Sequence, residues 1–151
     1  MALLDVPDEG IRLRAHADDW RQAVLLAGDA LVAAGATTDA YGARMVKVVD
    51  DFGSYIVIAP GLALAHARPG PDVLRDALAV VTLDEPVRFG HAHNDPVSVV
   101  LALAVTRNDG HVNMLAELAN VFNDPNATAM IAAAQTADEV RAVLASQQSE
   151  S

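Results

Sequence analysis

Tyr55-Ile-Val-Ile-Ala-Pro-Gly-Leu-Ala-Leu-Ala-His-Ala-Arg-Pro69 decides how this chain is read. Its first five residues are rich in β-branched side chains and predict a strand from Tyr55 to Ala59. Pro60-Gly61 predicts a turn, because proline presets φ and glycine accepts a positive one. Leu62 to Ala67 resumes the extended chain and meets His66, the one imidazole in an otherwise apolar run. Arg68 follows two residues later, which in extended chain places it on the same face as His66. Arg68-Pro-Gly-Pro-Asp72 reads as a loop, since two prolines and a glycine fit neither a helix nor a central strand.

Before this hairpin, Ile11 to His16 alternates apolar and polar and predicts a strand, with His16 exposed on it. Asp18 to Ala34 predicts a helix whose buried stripe is Trp20, Val24, Ala27, Leu31 and Ala34. Asp18 or Asp19 would cap it and Gly35 would end it in the left-handed conformation. Thr37 or Thr38 is expected to cap a second helix to about Asp51, with Tyr41, Met45, Val48 or Val49, and Phe52 inward and Gly53 as its stop. Arg44 and Lys47 fall one turn apart on its outer side.

After the hairpin, Val73 to Arg75 reads as a short turn and Ala77 to Leu83 as an apolar strand ending at Asp84-Glu85-Pro86. Val87 to Phe89 reads as a separate brief strand, and Gly90 to Pro96 as a polar loop. Val97 to Val105 is the most hydrophobic segment and predicts a central strand buried on both faces. Thr106 to Gly110 reads as a turn that delivers His111 to the first turn of a helix running to about Phe122. The inward stripe of that helix is Met114 or Leu115, Leu118, Ala119 and Phe122, and Asn123-Asp124-Pro125 breaks it. Ala127 to Ala134 forms a short helix, and Thr136-x-x-Glu139 is a capping-box signature for a last one, Ala137 to about Ala145. Strands alternating with helices define an α/β class, a sheet covered by helices on both faces. The 151 residues read as one domain, with 146–151 a frayed tail.

The composition is 52% hydrophobic and only 4% aromatic, that of a densely aliphatic globular chain. No apolar run approaches the ~18–20 residues needed to cross a bilayer as a helix. With no cysteine, disulfides, thiolate nucleophiles and Cys-based zinc sites are excluded. The acidic start, without a basic-then-apolar plan, points to a cytoplasmic protein. A net charge of −10 opposes sequence-independent binding to nucleic acid or anionic membrane and favours a basic partner surface.

Candidate chemistry rests on the five histidines, 16, 66, 91, 93 and 111. A neutral imidazole nitrogen at His66 is a competent nucleophile, and the Arg68 fork suits an anion beside it. His111 opens a helix after the most buried strand, where free N–H groups attract anions; it either supports a bound anion or caps the turn. His91 and His93, at i and i+2, would share one face if extended and form one side of a metal site, or else belong to a polar loop. P-loop, G-x-G-x-x-G, G-x-S-x-G and H-E-x-x-H motifs are absent from the sequence.

The order A-H66-A-R68-P, Pro86-Val-Arg-Phe-Gly90, Asn94-Asp-Pro-Val97 and Asp109-Gly-His111-x-x-x-Leu115-x-x-Leu118, with the Asp19-Trp20 helix start and Gly35 and Tyr41 upstream, resembles a known family. It is similar to the enzyme IIA domains of the mannitol–fructose superfamily of the phosphotransferase system (PTS), nearest the ascorbate-specific type. The resemblance implies a single-domain mixed β-sheet sandwiched between helices. It implies that His66 takes a phosphoryl group from the phosphocarrier HPr and passes it to a cysteine of an enzyme IIB, and through it drives uptake by a membrane enzyme IIC. His111 would stabilise the phosphoryl group or orient His66, and neither cofactor nor metal would be needed, because the donor is itself a phosphohistidine. A nitrogen-type regulatory relative phosphorylated at the same residue is the alternative, and a metalloprotein built on His66, His91, His93 and His111 a more distant one. Two positions depart from the family: Ala65 stands where many relatives have proline, and Val49-Asp50-Asp51 stands where mannitol-type relatives carry an active-site arginine. Lys47, Arg44 or Arg68 are the candidates to supply that charge.

Overall fold

Leucine and alanine alternate along the central strands, and that alternation sorts the molecule into layers. The computed structural model describes residues 6–145, and the side chains of these except 108–114. Five strands form one mixed sheet: β1 (Ile11–Ala15), β2 (Val57–Ala59), β3 (Leu62–His66), β4 (Ala77–Val87) and β5 (Val97–Ala104). Their order is β1-β4-β5-β3-β2, with β1–β4 and β3–β5 parallel and β4–β5 and β2–β3 antiparallel. Successive side chains point to opposite faces. The small residues Ala63, Ala65, Ala79, Val81, Val100 and Ala102 therefore pack with α1 (Trp20–Ala33) and α2 (Ala40–Phe52). The larger Leu62, Leu64, Leu78, Val80, Leu101 and Leu103 pack with α3 (Asn108–Phe122), α4 (Ala127–Ala133) and α5 (Ala137–Ala145).

On the small-residue side the backbones come close. A Cβ built on Gly28 of α1 would stand 2.8 Å from the Cα of Gly42 of α2, so only glycine allows this crossing. Asp19 caps α1 by accepting from the Gln22 N–H at 2.9 Å, and Gly35 follows its end at φ 77°. The Thr136–Glu139 box forms as the sequence implies, the Glu139 N–H reaching Thr136 Oγ1 at 3.2 Å. β5 is the central strand, its residues Val99 to Ala104 wholly buried.

Several boundaries differ from the sequence reading. Neither Thr37 nor Thr38 caps α2: Asp39 holds that position without a side-chain bond, while Thr37 bridges Val73 and the Thr38 N–H donates to the Asp72 carbonyl. Their extended backbone is occupied pairing with residues 72–73, which also replaces the expected turn at Val73. Tyr55 lies in a 3-10 turn, Ser54–Ile56, so the edge strand β2 begins only at Val57. Asp84, Glu85 and Pro86 do not stop β4, which runs unbroken to Val87; of the separate strand expected at Val87–Phe89 only Val87 is strand, as the end of β4. The register shifts between Thr82 and Val87, where a proline without an N–H costs no ladder bond. On α3 the inward residue is Val121 rather than Ala119, and the helix starts at Asn108, so Asn108 to Gly110 are helix and not turn. Residues 146–151 lie outside the described residues.

Candidate active site

His66 is the last residue of β3 and sits opposite Leu103 of the central strand. It therefore stands at the carboxyl end of two parallel strands, where ligands bind in open α/β sheets. The ring is partly buried, and His66 lines a cleft of about 510 Å³ with Val48, Phe52, Tyr55, Ala67 and Arg68. Phe52, expected in the core, is 71% exposed; it is the last residue of α2 and lines the cleft instead. With Tyr55 it forms an apolar wall beside the imidazole. Its place at a helix end, directly before Gly53, was the sequence signal for a rim position.

The backbone after His66 is held by α2. The Ala67 N–H donates to the Tyr41 hydroxyl at 2.9 Å, and that hydroxyl donates to the Leu103 carbonyl at 2.6 Å. One buried phenol thus ties the residue after His66 to the strand partner of His66. Burial pushes the Tyr41 hydroxyl's pKa up, so it stays protonated and able to donate. One turn along α2, Arg44 Nη2 donates to the Arg68 carbonyl at 2.7 Å. Arg44 also grips both oxygens of Asp72, from Nε and Nη2, at 2.7 Å each. That charge-assisted pair holds the Asp72 carboxyl below its ordinary range, burial opposing the shift. Gly70 lies against the pair: a Cβ there would be 2.9 Å from Arg44 Nη2 and 3.0 Å from Asp72 Oδ1.

Of the three cations considered for the missing helix arginine, Arg44 is committed to Asp72 and Lys47 pairs with Asp51 at 3.1 Å. Arg68 is exposed and lines the cleft with His66, and among the described residues it makes no ion pair. The side chain of His111 lies outside the described residues; its backbone is in the first turns of α3, which follows the carboxyl end of β5.

His91 and His93 are elsewhere. Their loop precedes β5, and the Asn94 carbonyl accepts from the Gly61 N–H just before β3, at the opposite end of the sheet from His66. Five residues of strand separate the two ends, roughly 16 Å, so His66 and these histidines cannot share one ion. The His91 Nδ1 accepts from the N–H groups of His93 and Asn94 at 3.2 and 3.1 Å, and Asp95 accepts from those of Phe89, Gly90 and His91. Among the described residues no three His, Asp or Glu side chains converge as a metal-ligand set. His16 lies just beyond β1, exposed, between Asp18 at 2.8 Å and Asp84 at 3.3 Å, and these carboxylates raise its pKa.

With this geometry in view, the likeness to known proteins is specific. Residues 6–147 match the family model described as "Phosphoenolpyruvate-dependent sugar phosphotransferase system, EIIA 2". The "Ascorbate-specific PTS system EIIA component" of Salmonella choleraesuis is 37% identical over 134 residues, 88% of this chain and 87% of that protein. Among solved structures, the putative PTS IIA domain from Streptococcus pyogenes superimposes with a TM-score of 0.86 at 33% identity, over 98% of this chain and 97% of that one. The IIA mannitol structure from Escherichia coli superimposes with a TM-score of 0.81 at 25% identity, over 93% and 99%. The chain belongs to the PTS enzyme IIA family, and its fold is that of the mannitol-type domains. Among the described residues no helix is long and apolar enough to cross a membrane.

Proposed function

We propose that this chain carries a phosphoryl group on His66 in the cytoplasm, taking it from phosphorylated HPr and giving it to a cysteine of an ascorbate-type enzyme IIB that serves a membrane enzyme IIC. The observation that supports this most is the position of His66: a strand-end imidazole in a cleft shared with Arg68 and an apolar wall, in a chain of the enzyme IIA family. An imidazole nitrogen of His66 attacks the phosphorus as the bond to the donor's histidine breaks, and the donor nitrogen keeps the electron pair. The new P–N bond then breaks in turn when the acceptor thiolate attacks, and the phosphoryl group leaves on sulfur.

Such transfer needs in-line positioning and charge stabilisation more than covalent help from other residues. Arg68 supplies positive charge at the cleft, and His111, at the start of α3, supports the phosphoryl group or orients His66. Val48, Phe52 and Tyr55 offer an apolar surface that a docked partner would cover, which keeps water from competing as the acceptor. Resemblance to ascorbate-specific relatives supports that pathway as the destination. Incubation with phosphorylated HPr should load one acid-labile, base-stable phosphate, and an ascorbate-type IIB should then remove it. A loaded protein that discharges to other IIB proteins but not to this type contradicts the substrate assignment.

A further inference from the structure

We infer that Arg44 and Asp72 form a positioning clamp for the reacting end of β3, and that Arg44 acts on the phosphoryl group only through the backbone it holds. This rests on the role proposed for His66. Three residues within six positions are fixed from α2: Ala67 through the Tyr41 hydroxyl, Arg68 through its carbonyl on Arg44, and Asp72 through the bidentate pair. Arg44 lies over the Tyr41 ring, its Cζ 5.4 Å from the centroid, so the two holds form one unit. Asp72 is itself anchored, its carbonyl accepting from the Thr38 N–H at 2.8 Å and its residue 8% exposed. The loop 68–72 is therefore closed at both ends, and the fork sits in its middle against Gly70.

The consequence concerns Arg68. Its side chain starts from the very residue whose carbonyl Arg44 grips, so the direction of that guanidinium beside His66 depends on the clamp. Arg44 has three donor contacts already engaged, two to a carboxylate that cancels its charge. It is placed to orient and not to neutralise. A lysine could keep the charge but not the fork, which needs two planar N–H directions for Asp72 and a third for the carbonyl.

The test is rapid-quench phosphoryl transfer from phosphorylated HPr to wild type, Arg44→Lys, Arg44→Ala, Asp72→Asn and the Arg44→Ala/Asp72→Asn double variant, each well below its melting temperature. Each single variant is expected to lower the maximal transfer rate by about tenfold, leave the donor concentration at half-maximal rate within about twofold, and show no further loss in the double variant. Wild-type rates in all variants would overturn the clamp while leaving the His66 reading intact. A slow Arg44→Ala with a normal Asp72→Asn or Arg44→Lys would also overturn it, because Arg44 would then act by charge. Failure of wild type itself to accept phosphate would instead overturn the reading on which the clamp rests.

Discussion

Histidines stand at both ends of strand β3, His66 as its last residue and His91 and His93 in the loop beside its start, and the chain around them is held in opposite ways. At the amino end, loop 90–96 is held largely by its own side chains: Asp95 accepts from the N–H groups of Gly90 and His91 and of the preceding Phe89, and His91 accepts from two more. At the carboxyl end, the chain after His66 is held from outside, by Tyr41 and Arg44 of α2, 26 and 24 positions from the residues they hold. A loop that satisfies its own backbone spends its polar side chains in doing so. A loop satisfied by a neighbouring helix leaves His66 and Arg68 facing a cleft. The imidazole that lines a cleft is the one whose following chain is held by other residues.

Substitutions at the two ends should separate stability from transfer. Asp95→Ala removes the acceptor of three N–H groups and should cost about 3 kcal/mol in urea denaturation. Phosphate acceptance by the protein that remains folded should stay at the wild-type rate; a large rate loss would break the distinction between the ends. Tyr41→Phe leaves the buried Ala67 N–H and Leu103 carbonyl without their shared hydroxyl, at a cost of about 2 kcal/mol. Unlike Asp95→Ala, it should also slow transfer, because the residue after His66 loses its anchor. His91→Ala should cost about 1 kcal/mol and leave transfer unchanged.

Titration sharpens the same contrast with opposite signs. The Asp72 carboxyl is held low by Arg44, so its stabilising contribution is fully present above the ordinary carboxylate value of about 3.9 and disappears as pH falls through the lower folded value. The stability difference between wild type and Asp72→Asn should therefore shrink toward strong acid. His16, at the His91 end of the sheet, is held high by Asp18 and then Asp84. Its contribution is full below about 6.5 and is lost as pH rises through the raised folded value. The difference between wild type and His16→Ala should be small everywhere and should vanish toward alkaline pH. A contribution growing with pH would mean that the carboxylates do not hold the ring.

The Trp20–Leu31 stripe and the unbroken apolar run of Val97 to Val105 report burial directly, so helices on both faces of a sheet could be read from them, whereas the sorting of leucine and alanine to opposite layers shows only in the structure. His66 and Arg68 could be placed together from a two-residue spacing in extended chain, and the cleft contains both. Arg44 was different. Its distinguishing feature is Asp72, 28 positions away, and one-turn spacing with Lys47 made it resemble any solvated helix face. Phe52 was misplaced for a related reason: helical periodicity says which side a residue faces but not whether anything packs against it at the helix end. Asp84-Glu85-Pro86 looked like a strand terminator because local composition cannot reveal a partner strand, and β5 carries β4 through to Val87.

Everything rests on which atom receives the phosphoryl group. Nitrogen-15-labelled protein loaded by phosphorylated HPr, followed by imidazole resonances with phosphorus coupling, identifies it directly. The prediction is a single phosphorus-coupled ring, that of His66, absent in His66→Ala with the remaining imidazoles unperturbed by direct coupling. Coupling to His111, His91 or any other ring, or undiminished loading of His66→Ala, would contradict the account.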